Sequence, residues 1–268
     1  MDNIFIVSLL SMAGLAVFFA GVLAIADKKL KVQEDPKVEK VLDLLPGVNC
    51  GACGCLSCHD FAEKIVNEGA DPSGCKVVPE EARNQICEFM GHEGGEVIPF
   101  VALVHCAADN PRKKRKGDYR GIKTCAAATL AFNAGMECGY GCIGYGDCVK
   151  VCPFDAIHMV DGLPRVDAAK CTGCGKCVEA CPLNIISLAE KKYKKLFYVA
   201  CSSHDDLMRT RQVCDVGCIA CGVCTKLAQE PFFMVEDNLS RADHKKQGDA
   251  GIIENIQAKC PTRVIKDI

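Results

Sequence analysis

The sequence predicts an α+β chain: one apolar N-terminal helix, then a small helical domain and two related modules of short helices and strands. Three observations carry this reading: an uncharged N-terminal run, 22 Cys among 268 residues at short fixed spacings, and an internal repeat in the C-terminal half. Disulfide scaffolds that rich in cysteine are short and secreted. Here the thiols stand in Cys-x2-Cys and Cys-x3-Cys-Pro runs within a long chain, which suits metal coordination. The lack of Trp fits the same picture, because metal bonds replace part of a hydrophobic core in small domains. A net charge of −2 lacks the strongly basic balance of a nucleic-acid binder, and no nucleic acid is expected as a partner.

The first element is the run from Ile4 to Ala26, 23 uncharged residues that as a helix reach about 34 Å, against a hydrocarbon layer of ~30 Å. Residues 1–27 are therefore expected to be a transmembrane anchor in the lipid bilayer. A cleaved signal peptide is the weaker alternative. Asp2 stands where a basic n-region belongs, and the run exceeds the usual ~7 to 15 residue apolar core. Lys28, Lys29 and Lys31 follow the run, so the positive-inside rule sets the soluble domains on the cytoplasmic side of the cell inner (cytoplasmic) membrane, behind a single pass. That compartment also keeps thiols reduced. The span has no ionisable residue, so any ion path must belong to polytopic partners.

A domain is expected over residues 28–92. It begins as a charged tether, Pro36 opens a helix reaching about Leu45, and Phe61 to Val66 has helical apolar spacing. Cys50, Cys53 and Cys58 precede that second helix, and Cys75 follows the turn Asp71-Pro72-Ser73-Gly74. Four thiolates at this spacing suit zinc or an iron-sulfur cluster, and Gly51 and Gly54 permit a tight loop around either. Cys55 is out of phase with the set. Residues 93–135 read as a connector holding a strand from Val97 to Val104 and the basic run Arg112, Lys113, Lys114, Arg115, Lys116. That run is either a docking site for an acidic carrier or a solvated loop. Cys106, Cys125 and Cys201 are expected to be buried thiols, with a further metal site as the alternative.

The repeat defines the last two domains, 136–192 and 193–268. A shift of 76 positions lays Cys138, Cys142 and Cys148 on Cys214, Cys218 and Cys224, and MVDGLPRVD at 159–167 recurs as MVEDNLSRAD at 234–243 with one insertion. CTGCGKCVEACP at 171–182 matches the run of bacterial two-cluster ferredoxins, in which three thiolates hold one 4Fe-4S cluster and the fourth crosses to the other. The partner run has Tyr145 in place of its middle ligand, and Cys138 is the expected replacement. One cluster is thus assigned to Cys138, Cys142, Cys148 and Cys181, and a second to Cys171, Cys174, Cys177 and Cys152. In the second module, Cys218, Cys221, Cys224 and Cys260 make a third, while Ala228, Ala250, Ile253 and Ile256 are expected to pack the emptied site with apolar groups. Both modules are accordingly predicted to be ferredoxin-like. Gly139-Tyr140-Gly141-Cys142-Ile143-Gly144 fits a dinucleotide pattern only formally, because no apolar strand precedes it.

GVNCGACGCLSCHDFAEKI, the later CGYGCIGYGDCVKVCPFDAI and the N-terminal helix together resemble the B subunit of the Rnf complex, over essentially the whole chain. The resemblance implies a membrane-bound ferredoxin:NAD oxidoreductase that couples electron transfer to ion translocation. It also implies a 4Fe-4S cluster on Cys50, Cys53, Cys58 and Cys75, for four 4Fe-4S clusters in all. The implied partners are soluble ferredoxin as electron donor and the other membrane and peripheral subunits. The missing ligands of the second module are a departure from longer-wired relatives. No residue stands out as a general base or nucleophile, so the chain is read as an electron relay without a complete catalytic site. A membrane-tethered redox sensor and a cluster scaffold are the alternatives.

Overall fold

The structure, a computed structural model, describes residues 2–30, 35–91, 98–228 and 231–268. Helix α1 (Asp2–Leu30) contains a 25-residue span, Phe5–Lys29, whose apolar 18-residue window has mean hydropathy 2.4 and is not buried against the rest of the protein. Its 29 residues reach about 44 Å, enough to cross a bilayer. The helix runs past the expected anchor end at residue 27 and places Lys28 and Lys29 in its last turn, where they complement its dipole. Lys31 lies outside the described residues.

A three-helix domain follows: α2 (Pro36–Leu44), α3 (Cys58–Glu68) and α4 (Glu80–Met90). Asp35 caps α2 by accepting from the Lys37 amide, and Leu45, the expected last residue, is its C-cap. Ser57 caps α3, which ends at Gly69 in the left-handed region that glycine adopts without strain. Val41, Ala62, Ile65 and Ile86 form the fully buried centre of the domain, and Cys58 and Cys75 belong to the same core.

The rest of the chain builds one plan twice. In the first module β1 (Phe100–Val104) pairs antiparallel with β4 (Ile186–Glu190), and β2 (Ile157–Val160) with β3 (Leu163–Val166). In the second, β5 (Phe197–Val199) pairs with β8 (Ile265–Asp267), and β6 (Phe233–Glu236) with β7 (Leu239–Ala242). Short helices carry the loops of the first module, α5 (Cys125–Leu130), α7 (Asp147–Lys150) and α8 (Lys176–Glu179), while α6 (Phe132–Gly135) is a left-handed turn with positive φ at every residue. Helices α9 (Leu207–Val213), α10 (Val223–Leu227) and α11 (Ala250–Lys259) serve the second.

Two expectations change. Strand β1 falls inside the anticipated connector yet completes the first module's sheet; Val97, its expected start, lies outside the described residues. The hairpins correspond without an insertion. Leu163 matches Leu239, Arg165 matches Arg241 and Asp167 matches Asp243, a constant shift of 76, and the strands have the same burial pattern. Both two-residue turns, Asp161-Gly162 and Asp237-Asn238, have positive φ at both positions, as tight hairpins require.

The β1-β4 and β5-β8 sheets pack back to back. Side-chain alternation sends Ala102 and Val104 into the first module's core, and Phe197 and Val199 into the second's. Val101, Leu103, Leu196, Tyr198 and Ala200 form the shared layer between them. His105 links the modules: Nδ1 donates to the Val199 carbonyl at 2.8 Å, and Nε2 accepts from the Ser187 hydroxyl at 2.7 Å. This assignment follows from the carbonyl, which can only accept.

Burial, with help from Arg241 and against the Val199 hydrogen bond, lowers the His105 pKa below its usual value. The unfolded chain therefore binds the proton first. Stability is full above the unfolded pKa of about 6.5 and falls as pH drops below it toward the folded value. The thermal midpoint is expected to be lower at pH 5.5 than at 7.5, and His105→Asn should narrow that gap; an unchanged gap would show that another group sets the acid sensitivity.

Candidate metal centres

The Cys50 to Cys75 loop is shaped by its glycines and caps. Gly51 and Gly54 both take positive φ, and the Asn49 side chain accepts from the Cys58 amide at 2.7 Å, which fixes the loop against the start of α3. Asp71 caps the short turn Pro72–Gly74 that delivers Cys75. Cys75 lies within electrostatic reach of Cys50 and Cys58, and Cys53 within reach of Cys75, so the chain brings these four together. Burial foremost raises the Cys75 thiol. Cys55 is also buried, but its Sγ accepts from Lys64 Nζ at 3.5 Å.

In the first module, Cys177 lies near Cys171, Cys174 and Cys152. Burial first, then these neighbouring sulfurs, push its thiol up to about 12. The loop sits so close to β1 that a Cβ on Gly173 would collide with the Phe100 Cβ and lie 2.8 Å from the Phe100 carbonyl oxygen, and its positive φ likewise demands glycine. The Ala102 amide points at Cys171 Sγ at 3.5 Å and the Ala156 amide at Cys152 Sγ at 3.4 Å.

The other half of this module departs from expectation. Cys142, Cys148 and Cys181 line one cavity, and the fourth sulfur there is Cys125. Cys138 lines a different cavity, between the two modules. Cys125 opens α5 under the Thr124 cap, and the next amide, of Ala126, donates to Asp147 Oδ2 at 3.1 Å; that bond ties α5 to α7, which carries Cys148. Tyr145, at the lost ligand position, packs beside Tyr119 instead. Burial drives Cys142 up to about 12, opposed by Lys113, and Cys148 up to about 11, with Cys125 the largest sulfur influence on it.

In the second module Cys218, Cys221, Cys224 and Cys260 line a single cavity with Ser240 and Ile256. The Ser240 amide donates to Cys218 Sγ at 3.4 Å, and its hydroxyl lies 3.2 Å from Cys224 Sγ. In place of a second thiol triad stands α11. Its Ile253 and Ile256 are buried in the module's core and Ala228 is half-buried against it, but Ala250 is exposed. At 100° per residue, steps of three drift around a helix by about 60°, so Ala250 leaves the face that Ile256 occupies.

The basic run is largely committed to internal contacts. Arg112 pairs with Asp109 at 3.6 Å, Lys114 with Asp215 at 3.0 Å, buried Lys113 donates to the Gly162 carbonyl, and Arg115 donates to the carbonyls of Ala134 and Ile143.

Among the described residues, no three of His, Cys, Asp or Glu lie close enough to hold a single metal ion. Four sulfurs around a cavity suit a cubane, whose irons and sulfides lie between the thiolates, better than zinc, whose bonds of ~2.3 Å draw its ligands together. The thiols raised by burial, Cys142, Cys148 and Cys177 among them, hold their protons until a cation replaces them. The fold and its cysteine groups thus define an iron-sulfur electron carrier with one apolar N-terminal helix. A family model for an Fe-S cluster matches residues 45–77, and one for a 4Fe-4S dicluster domain matches residues 139–182. The chain is 36% identical over 267 residues to the B subunit of an ion-translocating oxidoreductase complex from Methanosarcina acetivorans, covering 99% of both chains. The B subunit of a Na(+)-translocating ferredoxin:NAD(+) oxidoreductase complex from Acetobacterium woodii is 41% identical over 90% of this chain and 71% of its own. Its proton-translocating counterpart from Clostridium ljungdahlii is 35% identical over 99% of this chain and 93% of its own. The chain belongs to this family, the B subunits of Rnf-type ion-translocating oxidoreductases, and is an iron-sulfur electron-transfer protein of such a complex.

The Ser240 contact has a measurable consequence. A hydroxyl donating to a ligand sulfur favours the reduced, more negative centre, and about 1 kcal/mol of hydrogen bond corresponds to about 40 mV for one electron. Ser240→Ala is expected to lower the potential of the centre on Cys218, Cys221, Cys224 and Cys260 by about that amount, read by EPR-monitored redox titration, with the other signals unmoved.

Proposed function

We propose that this chain accepts electrons from reduced ferredoxin and relays them through 4Fe-4S clusters to the other subunits of an Rnf-type complex. Two relatives are named as ferredoxin:NAD(+) oxidoreductase subunits, one sodium-translocating and one proton-translocating, so these two share a reaction class but not a coupled ion. The observation that supports the relay is the proximity of successive cysteine groups. Cys50 lies within electrostatic reach of Cys174, and Cys148 within reach of Cys177, so three of the donor sets stand side by side. Bound clusters would supply one-electron chemistry; the polypeptide supplies spacing, burial and amides directed at sulfur.

Four clusters are assigned to the sequence-derived sets with one exchange. They fall on Cys50, Cys53, Cys58 and Cys75; on Cys171, Cys174, Cys177 and Cys152; on Cys142, Cys148, Cys181 and Cys125; and on Cys218, Cys221, Cys224 and Cys260. Cys125 replaces Cys138 because it lines the cavity of the other three sulfurs. The last three sets belong to ferredoxin-like modules, the second module being degenerate where α11 stands. Helix α1 crosses the membrane once and Lys28 and Lys29 hold its end on the cytoplasmic side, where ferredoxin is found. NAD binds elsewhere in the complex.

Mixing the anaerobically purified chain with reduced ferredoxin should bleach its cluster absorbance and generate EPR signals; no transfer would overturn the donor assignment. Cys125→Ser should abolish the signal of the Cys142-Cys148-Cys181 centre while Cys138→Ser leaves it in place. The reverse outcome would restore Cys138 as the ligand.

A further inference from the structure

We propose that Cys106, Cys138, Cys201 and Cys214 hold a fifth 4Fe-4S cluster, at the junction of the two modules. All four line one cavity there, which none of the other cysteines enters. Cys106 lies within electrostatic reach of each of the other three.

The set is built twice from the same parts. Cys106 comes two residues after the end of β1, and Cys201 two residues after the end of β5. Cys138 and Cys214 each open the same segment, Cys-x2-Gly-Cys, as Cys138 to Cys142 and Cys214 to Cys218. The glycines keep room beside the sulfurs: a Cβ on Gly141 would lie 3.4 Å from Cys138 Sγ, and one on Gly217 would lie 3.7 Å from Cys214 Sγ and 2.7 Å from the Thr210 methyl. Amide donors repeat as well. Cys142 N is directed at Cys106 Sγ at 3.5 Å, and its counterpart Cys218 N at Cys201 Sγ at 3.3 Å, with Ser203 N on the same sulfur at 3.4 Å. Backbone amides aimed at ligand sulfurs are how proteins stabilise cluster charge. Each module thus gives two thiols in equivalent positions, and the back-to-back sheets bring the pairs face to face.

The cavity wall is held across the same junction. Lys114 reaches the Gln212 carbonyl and Asp215, Lys113 forms a β-bridge with Cys214, and Arg209 donates to the Glu137 carbonyl at 3.5 Å. The ligand class follows from the donors: four thiols, an apolar pocket, and no three of them at single-ion spacing.

The position gives the site its role, which rests on the relay proposed above. Cys142, of the first module's cluster, and Cys218, of the second's, are both within reach of sulfurs of this set. A cluster there would take one electron from the first module's centre, which is oxidised, and pass one to the second's, which is reduced, with no bond made or broken.

The test compares the full-length wild type with Cys106→Ser/Cys201→Ser, both purified anaerobically in detergent, by iron, sulfide and zinc content and by EPR of the reduced samples. A loss of about four irons and four sulfides per chain, with one EPR component removed and the others retained, is the expected result. Cys87→Ser, a buried cysteine outside the sulfur-lined cavities, should lose nothing. Equal iron in wild type and double variant overturns the proposal, and so does a zinc ion lost in place of iron. A low total with the four-iron difference intact would fault the four-cluster assignment alone. Should the double variant fail to fold, the wild type decides: about 20 irons support a fifth cluster and about 16 exclude it.

Discussion

Four thiols from distant segments must meet around one inorganic centre, and most of the local structure serves that requirement. Loops that wrap a cubane need backbone turns ordinary residues resist, hence Gly51 and Gly54 in the helical domain and Gly173 against β1. Fixed chain entry and exit matter equally. Ser57, Asp71 and Thr124 each cap a turn adjoining a cysteine, so that Cys58, Cys75 and Cys125 leave their elements in defined directions. A core this small in aromatic content would be marginal alone; ligand bonds close chain segments that apolar contact would leave loose.

The second constraint is the sharing of the β1-β4 and β5-β8 sheets. A two-stranded sheet is marginal when isolated, and here each is covered on both faces, by its own module and by the other. That double burial explains why β1 and β5 read as continuous apolar segments rather than alternating ones. His105 satisfies its ring nitrogens across this joint, so the polar group buried there reinforces the apolar layer. In the second module α11 stands where the first has its second thiol triad, and its Ile253 and Ile256 pack into the module's core.

Cysteine groups were legible where their members are close in the chain. Cys-x2-Cys-x2-Cys places three sulfurs on one face of a loop whatever the rest of the fold does, so the 171–182 and 218–224 runs could be read directly. Cys125 could not. It is 17 positions before Cys142, no spacing rule spans that gap, and its place depends on the hydrogen bond from Ala126 to Asp147. Cys138 is the converse case: its closeness in sequence to Cys142 suggests a shared centre, whereas it lines the cavity between the modules and Cys142 lines another. The hairpin repeat was visible, although matching Met159 to Met234 required an insertion that strand pairing removes.

The sequence by itself determined the class of protein, the apolar N-terminal helix and the local cysteine triads, because hydropathy and short cysteine spacings act within a few residues. Only the tertiary structure decided how sulfurs remote in the chain are grouped and in what order the groups adjoin. Those depend on two sheets packing back to back and on which side of each strand a cysteine emerges, long-range contacts that no local pattern encodes.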